Sequence, residues 1–325
     1  MFNANLKIII TRRWPAAVEA KLKELFDVQL NERDIPMTAD ELKAALQSAD
    51  ALLPTVTDAI TADVLSVPNK RAKIIGNFGV GYNNIDINTA KSEGIVVTNT
   101  PHVLTDCTAD TAMLLLLMSA RRASEGERLI ANKQWQGWGP TQLMGQKVTG
   151  KTLGLIGFGR IAQAMAKKAH FGFGMKIICH ARSKPAPEAL KEFDAVYYAT
   201  IEEVLANADF ISLHCPGGAA TRHLINEQRL KLMRPTAHLI NTARGDVVDS
   251  KALIKALQER WIAGAGLDVF EGEPQIDPGF LALDNVALLP HLGSATEETR
   301  IAMGNRVINN ITAFFAGKEP QDRVV

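Results

Sequence analysis

Short apolar runs alternate with amphipathic segments along the first hundred residues. The runs KIIIT and GIVVTNTP have the length of buried strands, whereas PAAVEAKLKELF and TADELKAALQSA repeat apolar residues at helical spacing. The second amphipathic segment opens with Thr38 and acids, as the first turn of a helix does. This alternation predicts a small α/β domain built on a parallel sheet.

A larger region with the same alternation follows a long apolar helix, which is predicted from Asp106 to Arg122, and the loop KQWQGWGP. Strands such as TLGLI and GAGLDVF are separated there by helical segments, which indicates a doubly wound parallel sheet. The last amphipathic helix is too short to form a domain, so we expect the chain to return to the first domain. The predicted organisation is a first domain of residues 1–100 and 290–325, an inserted second domain of residues 101–289, and a cleft between them.

The strand TLGLI runs directly into a glycine turn and a helix, with the spacing of a βαβ dinucleotide-binding unit. The first glycine allows a tight turn, and the second lets the backbone approach a pyrophosphate. Ala162 takes the third position, which only has to let the helix pack closely on the strand. An ordinary turn with incidental glycines is the alternative. The candidate cofactor contacts of this turn are Gly157, Phe158, Gly159, Arg160 and Ile161.

The end of the second strand indicates which dinucleotide binds. An NAD site usually places an acid there to bind the ribose diol, but this chain has Arg182 and Ser183, and no acid before Glu188. A guanidinium and a hydroxyl suit the additional phosphate of NADP. We therefore predict NADP(H) as the preferred cofactor and NAD(H) as a secondary one, unless Arg182 is only a solvated loop residue.

Composition limits the partners. With 325 residues, 46% hydrophobic content and a net charge of +1, the chain suits a two-domain globular protein without general attraction to nucleic acid or anionic membranes. The longest apolar run, Ala112 to Met118, is too short to cross a bilayer. Cys107, Cys179 and Cys215 are odd in number and lack metal-ligand spacing, so we expect reduced thiols, a cytoplasmic protein and no metal site.

Three polar residues follow strands of the second sheet: Arg244 in NTARGDVVD, Glu273 in LDVFEGEP and His291 in LLPHLGSAT. Parallel strands present their carboxyl ends at one edge, where such folds bind ligands. Reduction of a 2-keto acid by a nicotinamide needs a cation, a proton donor and a group that keeps the donor protonated. Taken singly, the three residues could equally be an ion-pair partner, a loop acid and a helix cap.

Five segments together resemble the D-isomer-specific 2-hydroxyacid dehydrogenases, most closely their glyoxylate/hydroxypyruvate reductase branch. They are NFGVGYNNID, GLIGFGRIA, NTARGDVVD, LDVFEGEP and LLPHLGSAT, in this order. The resemblance implies a Rossmann-type doubly wound parallel sheet inserted into a smaller flavodoxin-like α/β substrate domain. It also implies NADPH-dependent reduction of glyoxylate and hydroxypyruvate to glycolate and D-glycerate.

The resemblance also assigns roles to individual residues. Arg244 would orient the substrate, His291 would donate the proton, and Glu273 would bind His291 and raise its pKa, as a carboxylate beside an imidazolium does. The substrate contacts would be Val80, Gly81, Arg244, His291 and Ser294, although the first two could form a simple turn. Further cofactor contacts, beside Arg182 and Ser183 at the end of the second strand, would be Thr108, Cys215, Pro216, Thr242, Ala243, Asp268 and Gly293.

Two tryptophans indicate a homodimer. Trp135 and Trp138 lie in a loop that, in the reductase branch, reaches across a dimer interface toward the neighbouring substrate site. The alternative is that both pack on their own subunit.

Other activities use the same motifs. A reductase of larger 2-keto acids such as 2-ketogluconate stays open, and a dinucleotide-sensing corepressor is a distant alternative because the chain has no basic patch. Formate dehydrogenase is disfavoured because it carries glutamine at the position of Glu273. Phosphite dehydrogenase is disfavoured because a lysine would be expected in the segment NFGVG.

Overall fold

The computed structural model describes residues 6–325, which form two compact units. One unit contains the residues up to Leu104 together with Ala295–Val325, and the other is Thr105–Ser294. The second unit is therefore an insertion in the first. Within the described residues, no helix is both long and apolar enough to cross a membrane.

Every strand pairing within the two described sheets is parallel. The strands are β1 (Lys7–Ile10), β2 (Asp27–Gln29), β3 (Ala51–Leu53), β4 (Ile74–Gly76), β5 (Val96–Thr98), β6 (Thr152–Ile156), β7 (Lys176–His180), β8 (Val196–Tyr197), β9 (Phe210–Leu213), β10 (His238–Asn241), β11 (Gly264–Leu267) and β12 (Val286–Leu288).

Helices cover the sheets. They are α1 (Ala16–Leu25), α2 (Ala39–Ser48), α3 (Ala62–Leu65), α4 (Ile87–Ser92), α5 (Thr105–Ala120), α6 (Ala123–Ala131), α7 (Arg160–Phe173), α8 (Pro187–Lys191), α9 (Ile201–Asn207), α10 (Glu227–Leu230), α11 (Ser250–Gln258), α12 (Pro278–Leu281) and α13 (Glu297–Phe315). The predicted start at Thr38 is confirmed, because its side chain and that of Glu41 form a reciprocal capping box on α2.

The smaller unit has the strand order β2-β1-β3-β4-β5, which is the flavodoxin-like order. Its final helix, α13, packs on the sheet, where Val307 and Ile311 are fully buried beside Gly76. A side chain at Gly76 would lie 2.7 Å from Val307, so the glycine permits this close approach. The last helix therefore belongs to the smaller unit.

The larger unit has the strand order β12-β11-β10-β9-β6-β7-β8. The order reverses at β6, as in a doubly wound dinucleotide-binding sheet. The predicted fold class is confirmed. Because all these strands run the same way, the loops after β6, β9, β10, β11 and β12 emerge at one edge of the sheet.

One predicted helix is wrong at its end. The helix expected from Asp106 to Arg122 stops at Ala120, and Arg122 adopts a left-handed φ of 56° before α6 begins. The apolar pattern could not show this break, since no glycine or proline marks it.

Candidate active site

The glycine turn after β6 has the shape that a dinucleotide requires. Gly157 has a φ of +90°, and a Cβ there would lie 2.8 Å from the carbonyl group of His214. Gly159 is the N-cap of α7, and a Cβ on it would meet no heavy atom within 4 Å. The turn therefore leaves open space in front of a helix N-terminus, where a pyrophosphate binds.

A buried hydroxyl at the same edge of the sheet also fits a bound dinucleotide. Thr242 follows β10 at the same sheet edge, and its hydroxyl is buried without a hydrogen-bond partner among the described residues. Buried polar groups are normally bonded, so a ligand group would complete this one. Ala162, at the third fingerprint position, is fully buried and lets α7 pack closely on the sheet. These residues fit the dinucleotide predicted from the sequence.

The end of β7 presents a cation and a hydroxyl. Arg182 and Ser183 are both exposed, and Arg182 forms no salt bridge or hydrogen bond within the described chain. The nearest following acid, Glu188, lies in α8. The guanidinium is thus free to bind an anion.

Arg244 is held by a residue that the sequence analysis missed. Asn241, the last residue of β10, is buried, accepts a hydrogen bond from the Ala243 amide at 3.0 Å and donates one to the Arg244 carbonyl oxygen at 2.8 Å. The side chain of Arg244 donates to the Ala243 carbonyl oxygen at 2.7 Å. A polar residue at the end of an otherwise apolar strand was the signal in the sequence.

Arg244 is a partly buried cation that lies close to two acids. Burial lowers the pKa of its guanidinium, and the charges of Glu273 and Asp246 partly offset that effect. Neither Glu273, which pairs with His291, nor Asp246 forms a salt bridge with Arg244 among the described residues. The cation therefore retains donors for a carboxylate or a carbonyl oxygen.

His291 and Glu273 form a hydrogen-bonded pair. Nδ1 of His291 lies 2.8 Å from Oε2 of Glu273, and Oε1 of Glu273 accepts the Phe270 amide at 2.7 Å. His291 has a left-handed φ of 55°, which is uncommon outside glycine. Since Nδ1 is engaged, Nε2 is the ring atom left for a substrate.

The carboxylate of Glu273 is charged at neutral pH. Burial raises its pKa, but the hydrogen bond and charge of His291, the Phe270 amide and the charge of Arg244 outweigh burial, so the pKa lies below its ordinary value. A charged carboxylate on Nδ1 stabilises an imidazolium.

Asp268 and Thr108, which the sequence predicted as cofactor contacts, hold the loop that carries His291. The carboxylate of Asp268 accepts the amides of Leu292 at 2.6 Å and Gly293 at 2.8 Å. Thr108 donates to the Gly293 carbonyl oxygen at 2.9 Å. Burial raises the pKa of Asp268, although both amides oppose that effect. This positioning role was not apparent from the sequence.

The remaining predicted residues are distributed as follows. Val80 and Gly81 lie in the smaller unit, after β4, and Ser294 is the last residue of the larger unit.

Cys215 and Pro216 follow β9, and burial raises the pKa of the Cys215 thiol to about 11. The thiol is therefore neutral at physiological pH and is not an activated nucleophile. The described residues contain no His, Cys, Asp or Glu cluster suited to a metal.

The chain is similar to known proteins over nearly its whole length. A family model described as the NAD binding domain of D-isomer specific 2-hydroxyacid dehydrogenases matches residues 113–293. The glyoxylate reductase of Thermococcus litoralis is 47% identical over 322 residues, which cover 98% of this chain and 96% of that protein.

Two solved structures extend the similarity to the whole fold. A Polaromonas protein assigned to the D-isomer specific 2-hydroxyacid dehydrogenases has a TM-score of 0.92 and 39% identity, covering 99% of this chain and 100% of its own. The NADPH-dependent glyoxylate/hydroxypyruvate reductase of Sinorhizobium meliloti, solved with NADP and malonate, has a TM-score of 0.87 and 34% identity, covering 99% and 97% of the two chains.

Proposed function

Since the chain belongs to the D-isomer specific 2-hydroxyacid dehydrogenase family, we propose that it reduces glyoxylate to glycolate and hydroxypyruvate to D-glycerate with NADPH. The observation that carries this proposal is the Glu273–His291 pair, at 2.8 Å, with Arg244 close enough to lower the pKa of Glu273. The similarity to glyoxylate reductases over nearly the whole chain supports the small substrate.

Arg244 binds the keto acid. Its guanidinium carries donors that no carboxylate in the described chain takes up in a salt bridge, so it orients the substrate and polarises the keto oxygen. The amides of Val80 and Gly81 bind the substrate carboxylate, and the Ser294 hydroxyl is a further substrate contact. These three contacts rest on the family resemblance together with the glycine-rich turn.

His291 supplies the proton. Its Nδ1 bonds to Glu273, so Nε2 faces the substrate and protonates the keto oxygen as that oxygen becomes negative. The charged carboxylate stabilises the imidazolium before transfer. The turn Gly157–Gly159 would hold the nicotinamide dinucleotide, which would supply the hydride when bound. Asp268 and Thr108 keep the His291 loop in place through its backbone.

The preference for NADPH rests on Arg182 and Ser183. Both are exposed at the end of β7, and Arg182 has no partner in the described chain, so the guanidinium can bind a phosphate. A charged hydrogen bond contributes about 1.5–3 kcal/mol, which corresponds to about a tenfold to hundredfold preference. The reductase solved with NADP supports this assignment by similarity.

A homodimer is part of the proposal. Trp138 is 84% exposed and Trp135 is 55% exposed, and Ile130 and Met144, which lie close to them along the chain, are also largely exposed. Exposed apolar side chains that form a contiguous patch mark interaction surfaces. Sedimentation of the purified protein and of a Trp135→Ser, Trp138→Ser variant tests the state: a wild-type monomer would refute it.

Oxidation of NADPH and NADH by the purified protein tests the activity, with glyoxylate, hydroxypyruvate, pyruvate and 2-ketogluconate in turn. We expect fast turnover of the first two substrates with NADPH. Fast turnover of 2-ketogluconate alone would keep the mechanism and refute the substrate. Absence of turnover with all four would refute the enzymatic proposal.

A further inference from the structure

The side chains of two asparagines bind the carbonyl oxygens of the turn after β4. The side chain of Asn77 donates to the carbonyl oxygens of Gly79 at 3.3 Å and Gly81 at 2.9 Å. The side chain of Asn99 donates to the carbonyl oxygen of Val80 at 2.8 Å. The Gly79 carbonyl oxygen also accepts the Thr100 amide at 3.0 Å, so the two asparagines and this amide together hold three successive peptide groups.

The geometry of the peptide bond fixes the direction in which the amides of the same turn point. In a trans peptide, the carbonyl of one residue and the amide of the next point in opposite directions. The amides of Val80, Gly81 and Tyr82 therefore face away from the two asparagines. None of these amides donates a hydrogen bond to a described residue. Successive free amides of this kind bind anions.

The orientation of Asn77 is fixed from behind. Its side chain is fully buried, and its Oδ1 atom accepts a hydrogen bond from Asn84 at 3.4 Å. Asn84 also donates to the carbonyl oxygens of Thr55 and Asp58. Because Oδ1 of Asn77 is used as an acceptor, its amide group has to point toward the turn.

Asn99 is fixed by the C-terminal segment. Its backbone amide donates to the Asp322 carbonyl oxygen at 3.3 Å, and its own carbonyl oxygen accepts from Asn310 at 3.4 Å. The carboxylate of Asp322 is buried and accepts two hydrogen bonds from Arg306, at 2.7 and 2.8 Å, and one from Asn310. Asn99 therefore does not depend on the turn for its position.

We propose that Asn77 and Asn99 are positioning residues that pull the carbonyl oxygens of residues 79–81 aside and present the amides of Val80, Gly81 and Tyr82 to the carboxylate of a 2-keto acid. The inference rests on the proposed function, because it takes the substrate carboxylate as the anion. It adds a third amide and the two side chains that create the site.

Replacing either asparagine with aspartate tests the proposal. Aspartate keeps the size of the side chain but offers a charged acceptor to a carbonyl oxygen, so the turn can no longer hold its amides outward. Asn31→Asp is the matched control, since Asn31 also donates to two carbonyl oxygens in the same unit, those of Thr11 and Ile35, both at 2.7 Å. The control loop carries none of the predicted site residues.

We expect Asn77→Asp and Asn99→Asp to raise the KM for glyoxylate about 10- to 100-fold, because the substrate carboxylate loses one or more hydrogen bonds. The KM for NADPH should change less than threefold, as should both constants in Asn31→Asp. Binding of oxamate, a carboxylate isosteric with a keto acid, is measured in parallel by calorimetry with the dinucleotide present. It should weaken by the same factor as glyoxylate.

The two proposals fail in different ways. If the wild type does not reduce glyoxylate but binds oxamate, and both site variants weaken that binding, the positioning role stands without the proposed activity. If the site variants match Asn31→Asp in glyoxylate KM and oxamate affinity, or if the wild type binds no oxamate, the positioning role is refuted. Thermal unfolding of each variant shows that it is folded, and either site variant alone suffices for the comparison.

Discussion

Replacing Glu273 with glutamine removes one charge and hardly changes the shape of the site. Glu273 now accepts two donors, the Phe270 amide and Nδ1 of His291. Glutamine has a single acceptor oxygen. The Phe270 amide is fixed in the backbone and would take it, which leaves the NH₂ group facing Nδ1. The imidazolium then loses both its hydrogen bond and its counter-charge.

The structure sets the size of the effect. Two unit charges about 4 Å apart interact by about 4 kcal/mol at an effective dielectric constant near 20. The side chains of His291 and Glu273 are 34% and 26% exposed, so solvent screening reduces the loss to about 2–3 kcal/mol. With 1.36 kcal/mol for each factor of ten, kcat should fall about 30- to 150-fold at neutral pH.

The assay is the rate of NADPH oxidation with saturating glyoxylate from pH 5.5 to 9. The matched control is Glu271→Gln, in the same loop, because Glu271 pairs with Arg222 at 2.6 Å and His223 at 3.1 Å and does not contact His291. We expect the control to stay within about threefold of the wild type. A Glu273→Gln enzyme as fast as Glu271→Gln at every pH would refute the assigned role of the pair.

Arg182→Ala should raise the KM for NADPH about 10- to 100-fold and change the KM for NADH little. The control Lys176→Ala, at the other end of β7, should change neither KM. Equal effects of Arg182→Ala on both cofactors would exclude Arg182 from the phosphate site. Gly159→Ala should unfold at the temperature of the wild type, because a Cβ there meets only open space. It should bind NADPH at least about tenfold more weakly, because that space is where the pyrophosphate approaches the helix N-terminus. Gly157→Ala should instead lower the melting temperature, since the φ of Gly157 is +90°. Burial lowers the pKa of His238 from 6.5 to about 4, so the unfolded chain takes up a proton at a higher pH than the folded chain does. The free energy of unfolding should therefore decrease by about 3 kcal/mol as pH falls from about 6.5 to 4. Urea unfolding at pH 7.5 and 4.5 should show a smaller decrease for His238→Gln than for the wild type, and an equal decrease would contradict the assignment of this effect to His238.

Much of the fold was readable from the chain because its signals are local. Alternating apolar runs and helical patterns predicted parallel sheets, and the turn Gly157–Gly159 identified the strand at which the larger sheet reverses. Arg244 and His291 could be selected because each follows a buried strand, and parallel strands end at one edge. The positions of the candidate site therefore follow from the order of residues along the chain.

The family resemblance predicted that Glu273 pairs with His291, whereas the hydrogen-bond partners of Asp268 and Glu271 were decided only by the tertiary structure. Asp268, Glu271 and Glu273 lie within six positions of one another and look alike in the sequence. In the fold, Asp268 binds the backbone of the His291 loop, Glu271 binds His223, and Glu273 binds the His291 ring. Each partner comes from a segment distant along the chain, so only the family resemblance, and not the local pattern of apolar and polar residues, could single out Glu273.

The two asparagines behind the turn after β4 show the same limit. The sequence showed a glycine-rich turn suited to an anion, because glycine frequency and spacing are local properties. It could not show that Asn77 and Asn99 hold the carbonyl oxygens of that turn, since Asn99 reaches Val80 across 19 residues and is itself fixed by Asp322 near the end of the chain. The sequence by itself determined which groups the chain carries and at which strand ends they lie. Only the folded chain decided which hydrogen bonds those groups make, because hydrogen bonds depend on distances between segments that the sequence keeps apart.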